Sequence, residues 1–301
     1  MLFIERLSGI NWDFHRDAVT YITESSQITN SIIQQGFSSL PNNGYYLICS
    51  LLDQNIFFII AYNIILFSIT NTLLAKIHWD HSPSKRRTIN FLILLVILNP
   101  YRIHLATTLL KDTTIIFLLV IFLSRFKFSW LALPILYLIR IASLTYIPPF
   151  FPKIKLIYLL PIFTISIFFA QYFFNIVSII DAATYGNLVF RDFDTVPTFQ
   201  AYGYLGTLFR SLLWPVLAIT GSFVIISPAP LFFAVAIGCL MNVIYSFATR
   251  NKIVPLTYNL FFCMAAIAII TPGFTTYIRY VYPLITIAPF LPISTRLIKN
   301  Q

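Results

Sequence analysis

The sequence predicts an all-α, polytopic integral membrane protein with about eight or nine transmembrane or re-entrant helices. Three observations predict it. The 301 residues are 58% hydrophobic and 10% charged, with a mean hydropathy of +0.82, more apolar than a water-covered surface allows. Apolar runs of roughly 18 or more residues recur, and in lipid a helix is the fold that gives such a run internal partners for its backbone. No sustained period-two alternation marks an outer-membrane barrel.

Residues 1–44 are polar enough for water or the membrane interface and read as an extracytoplasmic segment ahead of a transmembrane domain over 45–301. Met1 to Arg6 lacks a basic n-region and a long apolar core, so no signal peptide is expected. Tyr45 to about Ala75 forms the first apolar run. Lys76, Lys85, Arg86 and Arg87 follow it, and the positive-inside rule places them in the cytoplasm and the N-terminal segment outside. Thr88 to Leu98 returns to Asn99-Pro100, a pair that ends helices. Thr113 to Leu123 then runs back to Arg125 and Lys127. Both runs are too short to span, which sets the polar stretch Tyr101 to Asp112 partly at membrane depth.

Trp130 to Ile147 is apolar apart from Arg140 and reads either as one span or as a half-membrane hairpin with Arg140 near its tip. The basic pair Lys153 and Lys155 favours the hairpin. Leu156 to Asn175 then crosses outward and leaves the acidic, aromatic loop 176–206 outside. Thr207 to Ile226, interrupted by Arg210 and Pro215, reads as a full span or a re-entrant helix. Leu231 to Ala248 ends at Arg250 and Lys252, Pro255 to Ile270 leads to an outer turn at Gly273 to Arg279, and Tyr280 to Ile293 ends at Arg296 and Lys299. No internal repeat is visible.

Lys and Arg number 20 against 10 Asp and Glu, but the bases gather at the ends of apolar runs and speak of topology rather than nucleic acid. Cys49, Cys239 and Cys263 lie in apolar segments and read as small core residues. His78, Asp80 and His81 lack a fourth ligand, so neither metal nor cofactor is expected.

Carboxylates are scarce enough to be traced one by one. Asp13 and Asp17 stand four apart in a charged, aromatic segment, with Arg16 and Tyr21 beside them. With this topology they share the outer face with Arg102, His104, Lys111 and Asp112 from the bend, Arg140 from the hairpin, Asp192 from the loop, and Arg279 with Tyr280 from the last turn. A carboxylate facing several cations suits one reaction: it takes a proton from an attacking hydroxyl while Arg and Lys hold a departing diphosphate. Plainer uses stand beside this. Asp13, Asp17, Arg16 and His15 could line a solvated helix, Lys111 and Asp112 could pair with each other, Arg140 could snorkel, Asp192 could sit in an ordinary polar loop, and Arg279 could mark a helix mouth.

These residues resemble a family. Asp17 to Tyr21 is similar to the Asp-x-x-x-Tyr pattern in the first extracytoplasmic loop of bacterial polysaccharide polymerases and lipid-linked glycosyltransferases of the multi-spanning GT-C type. Asn42 to Tyr46, Leu98-Asn99-Pro100 with Thr108 to Asp112, and Ile278 to Leu284 resemble their later motifs in the same order. The chain departs from the family in having no apolar run before Asp17 and a reduced second outer loop.

The resemblance implies an O-antigen or exopolysaccharide polymerase of the bacterial inner membrane acting on undecaprenyl-diphosphate-linked saccharides. Asp17 or Asp13 would be the base, and Arg102, Lys111, Arg140 and Arg279 would hold the diphosphate. Arg16, Tyr21, His104, Asp112, Asp192 and Tyr280 would support the sugar. Membrane lipid, chain-length regulators and a flippase would be its partners. A single-sugar polyprenyl-phosphate-dependent transferase and a lipid-linked saccharide flippase are the alternatives.

Overall fold

The computed structural model describes residues 16–36, 40–41, 43–81, 87–124, 128–146, 203–226, 230–248, 260–271 and 273–291. Asp13, the loop 176–206 with Asp192, the expected crossing Leu156 to Asn175, and Arg125, Lys127, Lys153, Lys155, Arg250, Lys252, Arg296 and Lys299 lie outside these residues. The described residues form helices and no strand, which agrees with the all-α expectation. Contacts divide the chain into two compact units, Met1–Leu144 with Arg296–Gln301, and Thr145–Thr295.

The first unit begins with two helices of the N-terminal segment, α1 (Arg16–Thr23) and α2 (Ser25–Gln35), which pack on α3 (Gly44–Leu51). The apolar run expected over Tyr45 to Ala75 is not one helix. Asp53 and Gln54 adopt left-handed φ values of 53° and 56° and divide it into α3 and α4 (Ile56–His81). Asn55 restarts the chain, its Oδ1 accepting from Phe57 N at 2.9 Å, an N-cap that composition alone hides inside a hydrophobic stretch. Along α4 the hydroxyls of Ser68, Thr70 and Thr72 donate to carbonyls four residues back, so they enter apolar surroundings satisfied.

Helix α5 (Arg87–Ile97) stops where expected. Asn99 caps α6 (Pro100–Thr107) by accepting from Tyr101 N at 2.9 Å, and Pro100 fills the first helical position, where no N–H is needed. Thr108 to Lys111 is non-helical, and α7 (Asp112–Ser124) starts at its acidic residue. Thirteen residues reach about 20 Å, short of a bilayer core of about 30 Å, as the sequence implied. Helix α8 (Ala132–Ile139) ends at Arg140, whose extended backbone (φ −156°, ψ 114°) rules out one continuous helix over Trp130 to Ile147. α4 packs on α5, α6 and α7, and α8 packs on α7 and α3.

The second unit contains α9 (Gly203–Thr220), the short α10 (Phe223–Ile226), α11 (Pro230–Ala248), α12 (Phe261–Ile270) and α13 (Phe274–Ile287). α9 runs through Pro215 unbroken. Its core is aromatic: Trp214 meets Phe274 edge-on at 5.4 Å, and Phe223 meets Phe232 edge-on at 5.5 Å. α13 corrects an expectation. The turn assigned to Gly273 to Arg279 is helical from Phe274, so Arg279 lies well inside a helix rather than at its mouth. The stretch forms a helix whose Phe274 and Tyr277 are wholly buried.

Among the described residues one helix, Ile56–Asp80, is long and apolar enough to cross a membrane, and five others are shorter apolar helices of 10–17 residues. The breaks at Leu52 to Asn55, Asn99, Thr108 to Lys111 and Arg140 explain why long apolar runs become short helices.

Gly221 turns α9 into α10 at φ +70°, and a Cβ there would stand 3.2 Å from Ala236 Cβ. Gly221→Ala should therefore destabilise the folded protein by at least about 1 kcal/mol in thermal unfolding. Gly36→Ala, at φ +72° but facing open space, should cost less. Equal losses would remove the packing part of the argument.

Candidate functional site

The site expected from sequence falls mainly in the first unit, where two helix breaks face each other. α7 begins and α8 ends inside the structure, and their termini are crossed by charges. Asp112, in the first turn of α7, and Arg140, just past α8, form an ion pair with Nη2 to Oδ1 at 2.8 Å. Both are buried, at 0% and 2% side-chain exposure, which makes the pairing a condition of their burial. Asp112 is the one carboxylate wholly buried among the described residues.

Lys111 is buried beside this pair. Its Nζ donates to the Ile139 carbonyl at 3.1 Å, so a cation satisfies the end of α8, where carbonyls lack helical partners. Lys111 and Asp112 each reach a partner on the same neighbouring segment, Ile139 O and Arg140. The Lys111 ammonium also lies 6.0 Å from the centroid of the Tyr21 ring.

Tyr21 carries the link to the N-terminal segment. It is buried, packed edge-on against Tyr45 at 4.8 Å and Tyr46 at 5.0 Å. Asp17 is one helical turn before it on α1, half-buried and within electrostatic reach of the Tyr46 hydroxyl. The structure thus assembles Asp17, Tyr21, Lys111, Asp112 and Arg140 in one unit, and Arg16 is the first residue of the same α1. Gly44 makes the approach close. A Cβ there would sit 3.1 Å from the Leu138 backbone, so α3 and α8 meet almost main chain to main chain.

Arg102 and His104 are buried on α6, Arg102 in its first turn and His104 in its last. Arg102 Nη1 donates to Ile97 O at 3.2 Å, at the end of α5, and its guanidinium lies 5.2 Å from the Phe67 ring centroid. His104 stacks on Tyr101 at 5.8 Å. Arg279 and Tyr280 belong to the second unit, where Tyr146 donates to the Tyr280 carbonyl at 2.6 Å.

Two residues that sequence reading left without a role belong to the same physics. Asn63, wholly buried on α4, donates to Thr108 O at 2.8 Å across the break before Lys111. Arg210, in the second unit, donates to Ile269 O at 2.9 Å at the end of α12 and stacks 5.1 Å above Trp214. Each is a lone strongly polar side chain in an apolar run, a signal that was visible but had no partner in sequence. Among the described residues no group of three or more His, Cys, Asp and Glu could hold a metal ion.

No family model, curated protein or solved structure matches this chain.

Asp112→Leu should destabilise the protein by about 3 kcal/mol in denaturant or thermal unfolding, because Arg140 loses its buried carboxylate. Asp112→Leu combined with Arg140→Met should cost less than Asp112→Leu alone, since no buried charge of that pair remains. Additive losses would show that the ion pair does not act as a unit.

Proposed function

We propose that the chain is a multi-pass membrane glycosyltransferase of the polysaccharide polymerase kind, acting on undecaprenyl-diphosphate-linked saccharides at the outer face of the bacterial inner membrane. One observation carries the reading. Lys111 and Arg140 are buried with Asp112 at the junction of two broken apolar helices, and Tyr21, one turn along α1 from Asp17, lies 6.0 Å from the Lys111 ammonium. Cations buried at a helix break suit an anionic headgroup presented from lipid.

Membrane residence is supported by what the helices leave uncovered. Only 22% of the most apolar window of α4 is buried, and Phe57 is 80% exposed, unlike the core helix of a water-soluble protein. In the second unit Leu205, Phe209, Leu212 and Ile237 are also exposed.

In the proposed reaction, a hydroxyl of the acceptor saccharide attacks the anomeric carbon of the donor. Its proton passes to the Asp17 carboxylate, with Asp13 as the other candidate base. The bond from the anomeric carbon to the diphosphate oxygen breaks, and the diphosphate leaves with the electron pair. Lys111 and Arg140 hold that charge, with Asp112 orienting Arg140 before the substrate arrives. Arg102 is a further cation of the proposal.

A flippase for the same lipid-linked saccharide is the second reading. The observation favouring it is that α6, α7 and α8 are discontinuous around a buried ion pair, a design that transporters use.

Asp17→Asn in cells should abolish chain elongation and leave single lipid-linked repeats on the outer face, read by polymer length and by their accessibility to added enzymes. Repeats trapped inside would support the flippase, and unchanged polymer in both Asp17→Asn and Asp13→Asn would sink the enzyme. Sidedness is tested with single cysteines at Gln34 and Asp80, both exposed, in a background lacking the three buried native cysteines. A membrane-impermeant thiol reagent should label position 34 from outside and position 80 only after permeabilisation.

A further inference from the structure

The non-helical stretch Thr108 to Lys111 is the least obvious part of the first unit, because it frees backbone carbonyls inside an apolar structure. Those carbonyls are held from two other helices. Asn63 Nδ2 donates to Thr108 O at 2.8 Å and approaches Leu110 O at 3.4 Å. The Tyr45 hydroxyl donates to Leu110 O at 3.5 Å and accepts from Asn63 Nδ2 at 3.4 Å. Asn63 and Tyr45 are both wholly buried, and the residue immediately after Leu110 is Lys111.

We propose that Asn63, seconded by Tyr45, is a positioning residue that fixes the break in the helix so that Lys111 is presented to a diphosphate headgroup. The inference rests on reading the Lys111 and Arg140 cluster as an anion site. Asn63 makes no contact with the ligand. It holds two carbonyls, and through them the place where Lys111 leaves the backbone. Without the amide, Thr108 O must find another donor, which the chain can supply by rewinding the break into helix. Rewinding turns the Lys111 side chain about the helix axis and draws Nζ from Ile139 O.

The test uses the full-length protein purified in nanodiscs and inorganic diphosphate as the probe, with undecaprenyl diphosphate in a parallel arm. Asn63→Leu keeps the side-chain size and removes the donor. It should weaken binding of either probe at least tenfold in protein that keeps its helical content and elutes as wild type. Lys111→Met should weaken binding at least as much. The double variant Asn63→Leu/Lys111→Met should bind no worse than Lys111→Met, because Asn63 acts through that lysine.

Multiplying losses in the double variant, or unchanged affinity in Asn63→Leu, would overturn the positioning role while leaving the anion site standing. Failure of the folded wild type to bind either probe would overturn the anion site itself and the positioning role with it. Tyr45→Phe removes the second donor with little change in shape and must show a smaller loss with the same non-additivity. If Asn63→Leu does not fold, Tyr45→Phe decides the matter alone by these criteria.

Discussion

Carbonyl groups freed where helices end inside an apolar structure are the constraint on which the rest depends. A helix interior consumes its own backbone donors and acceptors, but each terminus leaves several behind, and among hydrocarbon side chains no water takes them. In the first unit these ends are met by Asn63 at Thr108, Lys111 at Ile139 and Arg102 at Ile97. In the second, Arg210 does the same at Ile269. The scarce polar side chains of this chain are thus drawn to backbone carbonyls at helix ends. Charge enters the interior as the counterpart of broken secondary structure.

That rule explains why the candidate site lies where it does. Continuous helices would have left Lys111 and Arg140 projecting into hydrocarbon with little reason to meet. The breaks at Thr108 to Lys111 and at Arg140 bring a helix start and a helix end together, and Asp112 closes the arrangement by pairing with Arg140. Tyr21 extends it to α1 through ring contacts with Tyr45 and Tyr46. The N-terminal segment, polar by composition, is anchored to the apolar part by these aromatic faces.

The features legible in the sequence were those carried by local chemistry. Asn99-Pro100 reads as a stop and restart because a capping amide and a missing N–H act within two residues. Arg140 reads as a cation in want of a phosphate or a carboxylate because a charge in so apolar a run is costly alone. That its acid is Asp112 depends on the register of α7 against α8, which no local pattern encodes. The turn at Asp53 and Gln54 was missed because an apolar run continues on both sides of it. Arg279 was placed in an outer turn because the basic ends of the flanking runs were set inside, whereas burial of Phe274 and Tyr277 among aromatic side chains holds that stretch helical. Asn63 was given no role, since the carbonyl it serves lies far along the chain.

The pairing of Asp112 with Arg140 also bears on how such a chain is made. In a bilayer, α7 emerging from the ribosome brings a carboxylate and α8 brings its guanidinium later. Each alone is unfavourable at the membrane centre by about 3 kcal/mol on insertion scales. On the membrane reading proposed above, Asp112 would have to wait near the aqueous boundary or in the shelter of the insertion machinery until Arg140 had been synthesised. On that reading α7 and α8 would behave as one insertion unit, and its commitment to lipid would be set by the arrival of the later charge rather than by the hydrophobicity of the earlier helix.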